Sequence, residues 1–126
     1  YLIGHAGLLL TRVLYRKQYS KTFVIVDAGM NDLIRPALYQ AHHNILPVTH
    51  RSTPCLACDV VGPVCESGDF LGKDVQLALP EQGDLLAVCD AGAYGWSMSS
   101  TYNSRPRLPE VLIDEGTAEL IRSRGA

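Results

Sequence analysis

Apolar and polar positions divide the chain into short apolar runs that end at glycine- and proline-bearing turns. Runs of strand length, rich in aliphatic and β-branched side chains, occur at residues 8–16, 23–29, 44–48, 58–64, 74–80 and 84–92. Turn-forming residues stop several of them, such as the Asp-Ala-Gly at 27–29 and the Glu-Gln-Gly-Asp at 81–84. Runs of this length and composition between turn signals predict β-strands.

Three other segments depart from simple strand patterning. Residues 31–40 begin with a residue typical of a helix N-cap, but Pro36 excludes a long helix, so we expect one helical turn that leads into an extended segment. Residues 53–57 predict a loop. Residues 109–124 predict a hairpin that turns at Asp114-Glu115-Gly116. Six or seven strands with one or two short helices predict a mainly all-β barrel or sandwich, in one domain over residues 1–126.

Composition limits the classes of function. The net charge of −2 argues against nucleic-acid binding, which needs a strongly basic patch. No apolar run approaches the roughly 18–20 residues that span a bilayer. The amino terminus has neither a basic leader nor a small-residue cleavage site, so we expect no signal peptide and a cytoplasmic location. The chain starts without methionine on strand-like sequence, which suggests a truncated or excised chain.

Three of the four cysteines lie close together, with C-x2-C-x6-C spacing over residues 55–65. A zinc site would need a fourth ligand, for which the candidates are His42, His43, His50 and Cys89. A single C-x2-C is a weak signal. We therefore favour reduced, partly buried thiols and expect no metal.

The segment GPVCESGD at residues 62–69 has the highest density of reactive groups. It places a thiol, Cys65, directly beside the carboxylate of Glu66. A neighbouring negative charge disfavours the thiolate, so this cysteine suits a proton donor better than a permanently ionised nucleophile. A polar loop with an incidental cysteine is the alternative.

Two further groups are candidates for ligand binding. Arg35 and Tyr39 are four residues apart and share one side of the predicted helical turn, where a guanidinium and a phenol could bind a carboxylate. Tyr94 lies between Gly92 and Gly95, which permit close backbone approach, and it could reach a phosphate or other ligand. The alternatives are a surface arginine with a half-buried tyrosine, and an aromatic residue in a β-turn.

Four segments, taken in order, resemble the diaminopimelate decarboxylases. They are VDAGMNDLIRPALY, VVGPVCESGDFLGKD, GDLLAVCDAGAYGWSMSSTYNSRPR and PEVLIDEG. These enzymes belong to the alanine-racemase-like, fold-type III group that uses pyridoxal phosphate and also contains ornithine and arginine decarboxylases. The resemblance covers about residues 2–123. The DLIRPALY and MSSTYNSRPR segments point to the diaminopimelate branch in particular.

This resemblance implies a fold and a set of partners. In the family an amino-terminal (β/α)8 barrel holds the lysine that binds the cofactor, and a carboxy-terminal, Greek-key-like β-barrel completes the site, usually across a homodimer interface. The chain resembles only the second part. Lys17, Lys21 and Lys73 should therefore not be interpreted as the cofactor lysine, and pyridoxal phosphate is expected to bind mainly to the absent barrel.

The resemblance also implies roles for individual residues. Cys65 resembles the general acid that returns a proton to the substrate α-carbon after carbon dioxide leaves. Glu66 would bind the distal ammonium, Arg35 with Tyr39 the distal carboxylate, and Tyr94 both the cofactor phosphate and the substrate. The implied reaction converts meso-2,6-diaminopimelate to L-lysine and carbon dioxide.

Two alternatives stay open. One is the decarboxylation of another basic amino acid, ornithine or arginine, which Arg35 disfavours because those substrates have no distal carboxylate. The other is a non-catalytic binding or dimerisation module, which the absence of the cofactor lysine favours for the isolated chain.

Overall fold

A computed structural model describes residues 2–64 and 66–126. Over these residues the chain forms eight strands, one α-helix, α1 (Arg35–Tyr39), and single turns of 3-10 helix at Gly4–Ala6 and Tyr102–Ser104. The strands are β1 (Leu9–Gln18), β2 (Thr22–Val26), β3 (Ile45–Pro47), β4 (Cys55–Val61), β5 (Phe70–Ala78), β6 (Leu85–Val88), β7 (Glu110–Asp114) and β8 (Thr117–Arg122).

Six strands form one sheet in the order β3-β6-β1-β2-β4-β5. The long strand β1 joins its two halves, because its first residues pair with β6 and its later residues pair with β2, both antiparallel. Strands β2 and β4 run parallel. The two edge strands approach each other, since a Cβ placed on Gly72 of β5 would lie 3.0 Å from Ile45 Cδ1 of β3. The sheet is thus nearly closed, which confirms the predicted barrel-like, mainly β fold with one short α-helix.

The core lies inside this curved sheet. Alternate residues of β2, Val24 and Val26, are fully buried, as the two-residue period of a strand requires. The β1 and β4 strands contribute Val13 and Val60, and Leu77 of β5 is 1% exposed. Burial of such a side chain stabilises the fold by about 1.5–3 kcal/mol.

The prediction of a loop at residues 53–57 is wrong for residues 55–57. Strand β4 already begins at Cys55, which pairs with Ala78 of β5. The first three residues of β4 are all exposed, so they show no apolar alternation that a sequence pattern could detect. Their strand conformation comes from pairing with β5 instead. At its other end β4 stops at Val61, directly before the Gly-Pro break.

The helical turn and the hairpin follow the sequence pattern. Helix α1 carries Pro36 in its first turn and ends at Gln40, whose φ of 54° is left-handed. Strands β7 and β8 form a separate two-stranded sheet joined through Gly116, which has a φ of 82°. The predicted extended segment after α1 becomes regular strand only at Ile45.

Candidate active site

An open cleft of about 320 Å³ lies where three segments of the chain meet. These segments are the loop after β2, the loop between β4 and β5, and the long connection from β6 to β7. We call this feature the Glu66 cleft; its lining residues are Met30, Asn31, Ile34, Glu66, Ser100 and Tyr102. Among the described side chains that the sequence marked for chemistry, Glu66 lines this cleft.

A buried carboxylate fastens the first two segments together. Asp69 is 4% exposed, and its two oxygens accept the backbone N–H groups of Met30 (2.7 Å) and Val64 (2.5 Å). The packing is tight, since a Cβ on Gly62 would lie 2.5 Å from Asp69 Oδ1 and 2.7 Å from the carbonyl oxygen of Ala28. Asp69 thus fixes the turn that carries Glu66 against the loop after β2.

An arginine fastens the third segment. Arg105 donates to Asn31 Oδ1 (2.9 Å) and to the carbonyl oxygen of Asp27. The backbone N–H of Ser100 donates to the carbonyl oxygen of Asn31 (2.9 Å). Two contacts from the β6–β7 connection therefore meet on the same residue of the loop after β2.

Arg105 also offsets the cost of burying two carboxylates. Burial raises the pKa of Asp32, whereas a hydrogen bond from the Gly29 backbone and the charge of Arg105 oppose the rise. Burial likewise raises the pKa of Asp69, against its two backbone N–H donors and Arg105. The Arg105 guanidinium lies 3.9 Å from Asp32 Oδ2. A buried negative pair without this cation would be costly, so Arg105 belongs to the scaffold of the cleft.

The carboxylate of Glu66 faces the cleft and has a partner there. Tyr102 Oη donates a hydrogen bond to Glu66 Oε1 at 2.7 Å. Cys65, the predicted proton donor, lies outside the described residues. Its role stays a prediction.

Helix α1 lies beside the same cleft. A Cβ on Gly68 would be 4.0 Å from Ala37 Cβ, which places the helix against the β4–β5 loop, and Ile34 at the helix N-cap lines the cleft. Arg35 is half-buried and Tyr39 is exposed. Within residues 2–64 and 66–126 neither side chain has a hydrogen-bond or ion-pair partner, so both polar groups are available to a ligand.

Tyr94 does not line the cleft. It is 64% exposed and has a φ of 62°, in the left-handed region that a non-glycine residue rarely adopts. The glycines beside it are required by the chain's own backbone, because a Cβ on Gly92 would overlap the carbonyl oxygen of Ile3, and one on Gly95 that of Ala91. The predicted close approach thus occurs, but between backbone segments.

Trp96 joins the β6–β7 connection to the hairpin. Its indole N–H donates to the carbonyl oxygen of Leu108 at 3.3 Å, and the guanidinium carbons of Arg122 and Arg107 lie 3.8 Å and 5.1 Å from the ring centre. Two cations against one indole ring make a favourable contact. The sequence alone provides no account of this residue.

The cysteines of β4 do not form the corner of a metal site. Cys55 is exposed and Cys58 is fully buried, on opposite faces of the strand, as a spacing of three residues dictates. In the described part of the chain no three histidine, cysteine or acidic side chains converge. No helix there is long and apolar enough to cross a membrane.

Three residues that hold the cleft together escape sequence reasoning about function. They are Asp69, Tyr102 and Arg105. All three lie in the segments that carry the family resemblance, which is the one available signal. Their partners are 39, 36 and 74 residues distant along the chain, so no local pattern identifies their contacts.

Fold and site together define a sheet domain whose loops gather charged and hydroxyl side chains into an open cleft. The family model described as the pyridoxal-dependent decarboxylase C-terminal sheet domain matches residues 1–92. The chain belongs to this family.

Several similar proteins are diaminopimelate decarboxylases. The chain is 52% identical over 124 residues to the diaminopimelate decarboxylase of Aquifex aeolicus and 56% identical over 125 residues to that of Pseudomonas fluorescens. Each match covers 98% of the chain and 30% of the relative. The crystal structure of Helicobacter pylori diaminopimelate decarboxylase in complex with L-lysine superposes with a TM-score of 0.93 at 50% identity, covering 99% of this chain and 31% of that one. The chain thus spans about a third of the length of these relatives.

Proposed function

We propose that this chain supplies the carboxy-terminal part of the active site of a pyridoxal-phosphate-dependent diaminopimelate decarboxylase. The reaction would convert meso-2,6-diaminopimelate to L-lysine and carbon dioxide. The rest of the site would come from a cofactor-binding barrel, since the relatives are about three times as long as the chain.

The observation that carries this proposal is that the chain presents two groups of opposite charge to ligands, Glu66 in the cleft and Arg35 on helix α1 beside it. Glu66 offers a carboxylate inside the cleft, and Arg35 follows Ile34, which lines it. The distal end of diaminopimelate is a zwitterion, with an ammonium and a carboxylate on the same carbon. An acid for the ammonium and an arginine with Tyr39 for the carboxylate are complementary to both groups.

The residues of this chain fit a secondary role toward pyridoxal phosphate. The cofactor, when bound, would delocalise the electrons left on the substrate when carbon dioxide departs. The exposed phenol of Tyr94 is available to a phosphate oxygen from outside the sheet. The three lysines have contacts elsewhere: Lys21 pairs with Asp59 at 3.0 Å, and Lys17 and Lys73 lie over the Tyr15 and Phe70 rings. We therefore assign the cofactor lysine to the barrel.

Cys65 is the proton donor in this proposal. Its thiol would protonate the substrate α-carbon once the carboxylate has left, which needs a neutral, well-placed thiol and not a thiolate. We also propose that the enzyme is a cytoplasmic homodimer in which Cys65 and Glu66 act at the partner's cofactor.

Ornithine and arginine are weaker candidate substrates. Neither has a distal carboxylate, so the half-buried guanidinium of Arg35 would lose its ligand on binding them. A virus arginine decarboxylase shares the fold with a TM-score of 0.73 at 14% identity, a likeness that concerns the fold alone.

The test uses the full-length protein, in which this chain follows its barrel, loaded with pyridoxal phosphate. We expect carbon dioxide release from meso-diaminopimelate and much slower release from L-ornithine or L-arginine. Cys65→Ala should reduce turnover at least about 100-fold, within the range that general acid catalysis contributes. Cys55→Ala, which removes an exposed thiol of β4, is the matched control and should turn over normally.

Arg35→Lys separates charge from geometry. Lysine keeps the positive charge but cannot form the bidentate contact, so the KM for diaminopimelate should rise about tenfold or more. Faster turnover of ornithine than of diaminopimelate by the wild-type enzyme would contradict the substrate proposal. Absence of release from every substrate, with cofactor bound, would favour the non-catalytic module.

A further inference from the structure

The local backbone does not by itself fix the orientation of the Glu66 side chain. Glu66 is exposed, and its backbone forms a tight turn in which its N–H donates to Val64 O (2.8 Å) and its carbonyl accepts from Asp69 N (3.1 Å). These bonds fix the backbone but leave the three rotatable bonds of the side chain free. A carboxylate that must meet an ammonium at a defined place needs a further contact, because each freely rotating side chain loses entropy on binding.

Tyr102 provides that contact from a restrained position. Its backbone N–H donates to Ser100 Oγ (3.3 Å), and Ser100 N donates to Asn31 O (2.9 Å). Three residues further on, Arg105 donates to Asn31 Oδ1 (2.9 Å). The short turn that begins at Tyr102 is thus bonded to Asn31 on both sides, and the tyrosine side chain adds only two torsions to that restrained backbone, against three for Glu66.

The geometry leaves half of the carboxylate for a ligand. A phenol has one hydrogen to donate, and Tyr102 gives it to Oε1 of Glu66 at 2.7 Å. The second oxygen, Oε2, keeps its lone pairs for an ammonium. Met30 and Ile34 line the same cleft with apolar surface, which suits the methylene chain that connects the two ends of such a substrate.

We propose that Tyr102 is a positioning residue, which holds the Glu66 carboxylate toward the distal ammonium of the substrate and so contributes to specificity for that ammonium. This inference rests on the proposed function, because it takes Glu66 as the ammonium ligand. Tyr102 acts through Glu66 and has no chemical step of its own.

The experiment compares two ligands in the full-length, cofactor-loaded enzyme. L-Lysine carries the distal ammonium, and L-norleucine has the same carbon chain without it. Their dissociation constants are measured by calorimetry for wild type, Tyr102→Phe, Glu66→Gln and the double variant. Tyr19→Phe, which removes an exposed phenol at the β1–β2 turn, is the matched control.

We expect Tyr102→Phe to weaken the binding of L-lysine about 3–10-fold, which is less than the full value of one charge-assisted hydrogen bond because the Glu66 carboxylate itself remains. The dissociation constant of L-norleucine should change by less than about twofold. The double variant should bind L-lysine no more weakly than Glu66→Gln alone, since the proposed effect of the phenol on the ligand passes through that carboxylate. The Tyr19→Phe control should match wild type for both ligands.

Three results would overturn the inference. Equal weakening of both ligands would mean that Tyr102 merely supports the fold of the cleft. Additive losses in the double variant would mean that it acts independently of Glu66, and unchanged L-lysine binding by Tyr102→Phe would mean that it does not act at all. In each case normal carbon dioxide release by the wild-type enzyme would leave the proposed function standing. A wild-type enzyme that neither releases carbon dioxide nor prefers L-lysine to L-norleucine would overturn both.

Discussion

Asp69→Asn changes the buried carboxylate that joins the β4–β5 loop to the loop after β2, beside the Glu66 cleft, with almost no change in side-chain volume. An amide has one oxygen, so only one of the two backbone N–H donors, of Met30 or Val64, keeps its acceptor. The other faces an NH2 group and stays buried without a partner, which costs about 1–3 kcal/mol. The surviving bond also loses its charge assistance, worth about 1 kcal/mol.

One effect opposes this loss. Burial raises the pKa of Asp69, so its ionised form carries a desolvation cost at neutral pH that asparagine does not. We therefore expect a net local destabilisation of about 1–3 kcal/mol. This corresponds to a roughly 5–150-fold larger equilibrium constant for opening of the β4–β5 loop.

Hydrogen–deuterium exchange of the full-length protein, read by peptide, measures that opening. Amides of residues 62–69 and 28–30 should exchange faster in Asp69→Asn, while those of the β7–β8 hairpin should not change. Asp114→Asn is the matched control: its exposed carboxylate at the hairpin turn has no side-chain partner in the described residues. Gly62→Ala, whose Cβ would press on Asp69 Oδ1, should accelerate the same peptides.

The pH dependence gives a second check. A carboxyl whose folded pKa lies above its unfolded value contributes stability that is present below the unfolded pKa, near 3.9, and lost as pH rises through the folded pKa. The stability of the wild-type protein relative to Asp69→Asn should therefore increase as the pH falls from 7 toward 4. Unchanged exchange in residues 62–69 would refute the role of Asp69 in holding the loop, and a difference between the two proteins that shrinks on acidification would contradict the raised pKa of Asp69.

Two further predictions concern groups away from the cleft. Arg51 forms a bidentate pair with the buried Asp84, at 2.8 Å and 2.7 Å, and this guanidinium lowers the pKa of Asp84 to about 2. Because the folded pKa is depressed, the pair stabilises the protein above pH 3.9 and loses that effect as the pH falls toward 2. Arg51→Gln should therefore lower the thermal stability of the protein at pH 7, by less than the loss of a fully buried pair would, since the arginine is partly exposed. Thermal unfolding from pH 7 to 3 should show the wild-type advantage shrinking, and a constant advantage would contradict the pairing. Burial and the neighbouring charge of Asp59 raise the pKa of the Cys58 thiol. When the native protein is treated with iodoacetamide at pH 7.5, peptide mass spectrometry should therefore find Cys55 labelled and Cys58 unlabelled. Equal labelling of the two cysteines would contradict the burial of Cys58.

Sequence patterns predicted most of the local structure. The β-branched alternation at residues 23–26 became β2, the Pro36-limited turn became α1, and the Asp-Glu-Gly signal became the turn between β7 and β8. Each of these depends on neighbours a few residues apart. The start of β4 at Cys55 was missed because its first residues are exposed and have no apolar alternation. Their strand conformation comes from pairing with β5.

The sequence by itself determined the fold class, the family resemblance and the candidate chemistry at Arg35, Tyr39, Glu66 and Tyr94. The tertiary structure alone decided which of these meet: Glu66 and helix α1 share one cleft, whereas Tyr94 lies apart from it. It also revealed Asp69, Tyr102 and Arg105 as the residues that join the three segments. The physical reason is that their hydrogen bonds between segments connect positions 36 to 78 residues apart, and such contacts depend on how the nearly closed sheet brings its loops together.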